Sequence, residues 1–458
     1  MYSLLLIFEK AFSEEAANTR FTHAEEARCA LSHIIRTEKA GHHCSPSTAT
    51  AMTTADMAGM PIRPSALGRY EDWPAYAARH HFAATSPSAQ QLVDTLGVPA
   101  TAPVTEYRVE TQTEHDGVIT SRLSWQLGFG PRTSAWFVRP ARSTGPLPGI
   151  LALHCHGGIK SHGAERLVLL PREEENDAGA TTTAAGFGRI PVQLREKLYS
   201  GRHWATWLAQ QGFAVLAHDA FMWGSRGFGL ETQPWRTAQS VNGQQALWRE
   251  AGVEPSPADL YNAAASNHEE TVAKAATLLG TSIAGTVAHD DLAALGILAS
   301  LPGVDPDRLG CTGFSGGGGR AMVLAALSPL IRSYVVTCMM TTFASLLPAY
   351  LDAHSWLLHS PGLSRLGDWP DLVMRSTAGA VLVQYALADQ LFPEAGMRDA
   401  DAHLSERMPA GRYAGSFWPG PHVFSTGMQE EAAAFLSSNL QANEAPGFPA
   451  TDPARTAL

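Results

Sequence analysis

The sequence predicts an α/β protein with a mostly parallel central sheet, helices on both faces, and lid-like insertions where strands end. Three observations carry this prediction. From Gly149 onward, short continuous apolar runs alternate with stretches of helical periodicity, the pattern of successive βα units. Ahead of them, runs that alternate apolar and polar residues around a turn signal predict an antiparallel edge. Third, residues 308–327, RLGCTGFSGGGGRAMVLAAL, read as a buried strand, a glycine-rich turn and an Ala/Met/Leu-rich helix.

Taken in order, residues 1–60 show no sustained periodicity. Residues 2–8 are largely apolar, but no basic residue precedes them and Glu9, Lys10 and Glu14 follow at once. The run is shorter than a signal-peptide core and far shorter than a membrane span. Residues 45–58 are dominated by Ser, Thr, Ala and Met, so this segment is expected to be disordered, or translated from upstream of a start at Met52, Met57 or Met60. His42, His43 and Cys44 have no second ligand pair nearby and are read as incidental. Residues 61–103 form a helical extension, with Trp73 and Tyr76 three apart and Gly97, Val98 and Pro99 ending it.

The α/β domain is expected over residues 104–440. Leu123, Trp125 and Leu127 alternate with Arg122, Ser124 and Gln126, the period of a half-buried strand, and His115, Asp116 and Gly117 supply a hairpin turn before it. Further strands are predicted over 132–139, 149–155, 213–217, 308–312, 331–339, 380–387 and 415–418. Trp204, Trp207 and Leu208 mark one intervening helix face; Leu292, Leu295 and Leu298 mark another. Insertions at 161–199, 227–282 and 341–377 each follow a strand end, where an open α/β sheet binds ligand, so they are read as lid and pocket. The Pro/Ala-rich tail, 441–458, is expected to be disordered.

Composition narrows the partners. The 458 residues are 45% hydrophobic, enough for a large core, and only 17% charged. A formal charge of −10 with no basic cluster argues against nucleic acid or an anionic membrane surface, which leaves a small-molecule substrate. Five cysteines are an odd number, and Cys155, Cys311 and Cys338 lie in apolar strand-like runs. They are read as reduced and buried, which favours the cytoplasm. Nothing in the sequence indicates an oligomeric state, and no cofactor is called for.

The chemistry centres on Gly313-Phe314-Ser315-Gly316-Gly317. Strand, G-x-S-x-G and helix together make a nucleophile elbow, a sharp turn that holds a serine in strained backbone with glycines at its crowded flanks. A serine hydroxyl is a weak nucleophile and needs a base, which in turn needs an acid to fix its tautomer. Asp389 stands just beyond the strand at 380–387. Glu394, Asp399 and Asp401 are expected on the following helix, and Asp368 and Asp371 precede the strand. His422, in Pro419-Gly420-Pro421-His422, follows the last strand; Thr426 and Gln429 are spaced as a capping box for the final helix, and His403 looks like an ordinary helix position. An oxyanion hole is expected from the Gly316 N–H together with the loop His156-Gly157-Gly158. His154 and His156 share a strand face, but with a glycine pair following, His156 is read as shaping that loop; no metal site is predicted.

With these residues in place, LALHCHGGIKSHG, GFAVLAHDAFMWGSRG, VDPDRLGCTGFSGGGGRA and YALADQLFP resemble the α/β-hydrolase superfamily. Within it they are similar to the branch of dienelactone-hydrolase-like proteins and acetyl xylan esterase-type carbohydrate esterases. The resemblance runs over about residues 104–440. It implies the α/β-hydrolase fold, a triad of Ser315, Asp389 and His422, and a site wall to which Asp219 and Arg226 contribute, with a structural ion pair as the other reading of those two. Dienelactone hydrolases proper use a cysteine nucleophile, whereas this elbow carries Ser315 and Cys311 lies back in the strand. The implied activity is therefore that of a serine carboxylic ester hydrolase on acetylated carbohydrate or other small acyl esters. A serine peptidase of the prolyl-oligopeptidase kind and a non-catalytic binding protein of the same fold are the alternatives.

Overall fold

The strands run Tyr107–His115 (β1), Val118–Trp125 (β2), Thr133–Pro140 (β3), Leu147–Leu153 (β4), Ala214–His218 (β5), Val304–Phe314 (β6), Ile331–Thr337 (β7), Ala380–Ala386 (β8) and Tyr413–Trp418 (β9). They form one nine-stranded sheet in the order β1-β2-β3-β5-β4-β6-β7-β8-β9. β1, β2, β3 and β5 pair antiparallel, and every pair from β5–β4 to β8–β9 is parallel. The predicted antiparallel edge leading into a parallel sheet is thus observed. The computed structural model describes residues 65–80, 89–100, 104, 106–170, 190–347 and 349–441. The expectations for residues 1–60, for His42, His43 and Cys44, for the middle of the 161–199 insertion and for the tail after 441 fall outside these.

Ten helices matter here: Trp73–His80 (α1), Ala89–Leu96 (α2), Ile190–Tyr199 (α3), Trp204–Gln210 (α4), Trp235–Glu250 (α5), Pro257–Leu278 (α6), Ile283–Ser300 (α7), Gly316–Leu327 (α8), Glu394–Arg407 (α9) and Thr426–Leu440 (α10). Neighbouring strand residues point to opposite faces, and the two cores divide accordingly. Leu151, Leu153, Tyr334, Val336, Val381 and Val383 join one core with α2, α7 and α8. Ile150, Ala152, Val335 and Leu382 join the other with α4 and α10. Helices therefore cover both faces, and the strands, buried on each side, read as continuous apolar runs.

Several local expectations are corrected. β2 ends at Trp125, short of Leu127, and of its polar alternates Ser124 is buried and Arg122 half-buried. A strand flanked by β1 and β3 and covered by the first core and α4 has little solvent face left. Trp73 and Tyr76 lie exposed on α1, while Leu92 and Leu96 of α2 reach the core. The cap of α10 is Ser425, whose Oγ accepts from the Met428 N–H, in place of the predicted Thr426. Gln429 turns inward instead and donates to the Phe424 and Tyr199 carbonyls.

The 227–282 insertion folds as two helices, α5 and α6, beyond the lid or pocket role expected of it. α6 starts where local chemistry tells it to. Ser256 and Asp259 form a reciprocal capping box, and Pro257 occupies the first helical position.

Candidate active site

The elbow is built by close approach. Ser315 has φ 57° and ψ −128°, a backbone that side-chain-bearing residues rarely adopt. Its N–H donates to the Thr337 carbonyl at the end of β7. A Cβ on Gly317 would lie 2.1 Å from the Leu153 carbonyl oxygen, and one on Gly313 would lie 2.1 Å from the Gly317 backbone. Only glycine lets α8 start this close to β4 and β6. Gly316 opens α8, so its N–H has no acceptor within the helix.

β8 ends at Ala386, and Asp389 sits just past it, almost wholly buried. One oxygen accepts from the Leu391 N–H at 2.8 Å; the other accepts from Nδ1 of His422 at 2.5 Å. Because a carboxylate can only accept, Nδ1 carries the proton and Nε2 presents a lone pair. That Nε2 is out of contact with solvent and has no hydrogen-bond partner among the described residues. The His422 ring stands 4.8 Å, centroid to centroid, from Phe314, the residue before Ser315. The rival groups are engaged elsewhere. Glu394 opens α9 and pairs with Arg398, Asp401 accepts from the Tyr413 hydroxyl, and His403 pairs with Asp371.

Cys338 adjoins the pair. Ligand atoms of Cys338, Asp389 and His422 lie within 4.8 Å of one another, a spacing that a metal ion could use. Burial, and next the charge of Asp389, push the Cys338 thiol well above its ordinary range, so it stays protonated and is a poor ligand. Asp389 and His422 already satisfy each other. The donor set fits acid–base chemistry better than coordination.

The loop after β4 meets the elbow. A Cβ on Gly316 would lie 3.2 Å from the His156 backbone nitrogen, so the two segments face each other. Gly157 and Gly158 have φ of 64° and 68°. The Gly158 N–H donates to Nδ1 of His156 at 3.0 Å, so this glycine, expected as an oxyanion donor, is already engaged within its own loop. His154 is turned away, with Nδ1 on the Cys155 carbonyl and Nε2 accepting from the Ala220 N–H. Beneath the loop, Arg320 of α8 donates to Asp291 and to the His154 carbonyl, and His218 stands 3.0 Å from Asp291.

Asp219 and Arg226 are both buried, and they do not pair with each other. Asp219 accepts from the N–H of Ala164 and from the N–H and hydroxyl of Ser225, tying together the loops after β4 and β5. Arg226 pairs with Asp290 and donates to the carbonyls of Phe129 and Pro131. Both side chains are thus engaged by the protein's own groups, save Nη2 of Arg226, which has no hydrogen-bond partner among the described residues.

Sequence reasoning missed Lys160, Asn262 and Glu269. Lys160, buried in the loop after β4, is bonded to Glu269 of α6. Burial alone would raise the Glu269 carboxyl. The adjoining His156 ring and the Lys160 charge outweigh it and hold the group well below the ordinary carboxylate range. Glu269, Lys160, Tyr261, His268, Phe228 and Leu230 border a small recess. No motif marks these residues; only the fold brings them together.

The sheet order, the elbow after β6, and the Asp389–His422 pair in the loops after β8 and β9 make this chain an α/β-hydrolase by fold. Within that class, residues 199–337, which include Ser315, match the model of the Dienelactone hydrolase family. YtaP of Bacillus subtilis (strain 168), which carries the name of a hydrolase, is 22% identical over 318 residues, covering 69% of this chain and 85% of YtaP. Among solved structures, acetyl xylan esterase 1 from Thermoanaerobacterium sp. JW/SL YS485 matches with a TM-score of 0.43 and 16% identity. That match covers 80% of this chain and 98% of the esterase. A glucuronoyl esterase from Solibacter usitatus matches with a TM-score of 0.45 and 12% identity, covering 79% and 99%.

Proposed function

We propose that the protein is a serine carboxylic ester hydrolase that works through an acyl-enzyme. The observation that carries this reading is the 2.5 Å bond from His422 to Asp389, which leaves a buried, unpaired Nε2 beside a serine elbow. Ser315 Oγ attacks the ester carbonyl while His422 Nε2 takes its proton, and the imidazolium so formed is steadied by Asp389. The carbonyl oxygen becomes an oxyanion that receives the Gly316 N–H and a backbone N–H of His156 or Gly157, the Gly158 N–H being taken by His156 Nδ1. Collapse of the intermediate breaks the C–O bond, and His422 gives its proton to the departing alcohol. Water, deprotonated by the same nitrogen, then attacks the acyl-enzyme, releasing the acid and restoring Ser315.

The substrate in this proposal is a small acyl ester, acetylated carbohydrate included. Residence in the cytoplasm belongs to the same proposal and rests on the free, buried thiols of Cys155, Cys311 and Cys338. Among the described residues no helix is long and apolar enough to cross a membrane.

The test is a fluorophosphonate label followed by peptide mapping, with a panel of short-acyl esters beside it. A label on Ser315 and turnover of the esters are expected. A full-length protein that is neither labelled nor active on any ester would overturn the reading.

A further inference from the structure

The residues of the 156–161 loop are gripped from outside their own βα unit. Asn262 and Glu269 stand seven residues apart on α6, hence on one helix face. The Asn262 side-chain oxygen accepts from the backbone N–H groups of Lys160 and Ser161, and its amide donates to the Ser161 hydroxyl. Two turns on, one oxygen of Glu269 holds the Lys160 ammonium and lies 3.6 Å from Nε2 of His156. The other oxygen accepts from the Ser355 hydroxyl and the Trp356 N–H, both in the 341–377 insertion. One buried carboxylate thus joins the loop after β4 to both later insertions.

The His156 ring lies between this carboxylate and the loop backbone. Its Nδ1 accepts the Gly158 N–H, so its proton sits on Nε2, the atom nearest Glu269. The same residue's backbone nitrogen faces Gly316 at the elbow. We propose that Glu269 is a positioning residue for acyl transfer: through His156 and Lys160 it fixes the backbone of the 156–158 loop against the elbow. Glu269 does not touch the reacting atoms. The inference rests on the esterase reading, because the loop's role in rate is to stabilise the oxyanion.

Glu269→Gln keeps the size of the side chain and an acceptor for Ser355 and Trp356, but loses the charge that holds Lys160 and His156. Removing one oxyanion donor outright costs about 10²–10³ in kcat, and loosening the loop is expected to cost about 10–100-fold. KM should stay within about twofold. In the pair Glu269→Gln/Lys160→Met the unpaired buried ammonium is gone, so the unfolding midpoint should return toward wild type while kcat does not. Imidazole ¹⁵N shifts of the full-length protein should show the Nε2–H form of His156 in the wild type and exchange between tautomers in Glu269→Gln.

A kcat within twofold of wild type in Glu269→Gln overturns the proposal. So does full recovery of kcat together with stability in the paired variant, which marks a merely structural bond. Should the single variant not fold, the paired variant decides on kcat alone. A wild type that neither labels nor hydrolyses ester fails the esterase reading instead, and the His156 signal then decides whether Glu269 positions that ring.

Discussion

At the scale of single residues, the acid can be tested by geometry and not merely by charge. Ser315→Ala is expected to lower kcat by about 10⁶ and to abolish labelling while the protein stays folded. Asp389→Asn preserves the packing but favours the wrong imidazole tautomer, and a loss of about 10⁴ in kcat is expected. Glu394→Gln removes an exposed helix carboxylate paired only with Arg398 and should stay within about twofold. Ester kinetics on the three variants check this, and a crippled Glu394→Gln beside a mild Asp389→Asn would reassign the acid. Asp219 offers a pH test. Burial, and then the nearby Glu165, raise its carboxyl from 3.8 to about 6. Between those values the folded chain holds the proton more tightly than the unfolded one. Stability from this group therefore falls as pH rises, and a cost of about 3 kcal/mol is fully present above pH 6. Measured by urea unfolding, Asp219→Asn should be less destabilising at pH 7 than at pH 5, by about 1 kcal/mol. The turn at Ser315 and the placement of Asp389 and His422 past their strands were legible because each is written locally, by glycines at a turn or by the end of an apolar run. Glu269 was not, since its four partners come from two distant segments and nothing beside it in the chain differs from an ordinary helix.

At the scale of elements, α8 depends on how near it approaches the sheet. Gly317→Ala would drive a methyl into the Leu153 carbonyl, so α8 must shift away from β4 and carry the elbow with it. A loss of at least about 1–3 kcal/mol and a fall in kcat of tenfold or more are expected. Gly296→Ala is the control: it lies exposed within α7 with nothing near its added methyl, and should be neutral or stabilising by up to about 1 kcal/mol. Thermal melts and ester kinetics on the two variants check both expectations. The regular strands were legible because burial on both faces imposes unbroken apolar runs. β2 was only half legible: period-2 alternation reports one dry face, and Ser121 and Ser124 are polar residues that tertiary packing buries regardless. The caps show the same limit. Both Ser425 and Thr426 can cap in isolation, with Ser the stronger, and Ser425 is the one the chain uses.

At the scale of the whole molecule, Cys155, Cys311 and Cys338 all lie in the interior. Burial, ahead of the charges of Asp291 and Asp389 respectively, raises the Cys311 and Cys338 thiols well above their usual range. Ellman's reagent should leave these three untouched in the native protein and modify them at the rate of unfolding. Rapid modification of all five thiols under native conditions would show that the cores open locally. The grip of α6 on the loop after β4 has a consequence for descent. Lids on this architecture are insertions, and an insertion is the easiest part of a chain to exchange by recombination. Here a foreign insertion lacking counterparts of Asn262 and Glu269 would strand a buried lysine and leave two backbone N–H groups without acceptors. The heritable unit is therefore the helix and the loop together, and new specificities in this lineage should arise by substitution within residues 227–282 sooner than by their replacement.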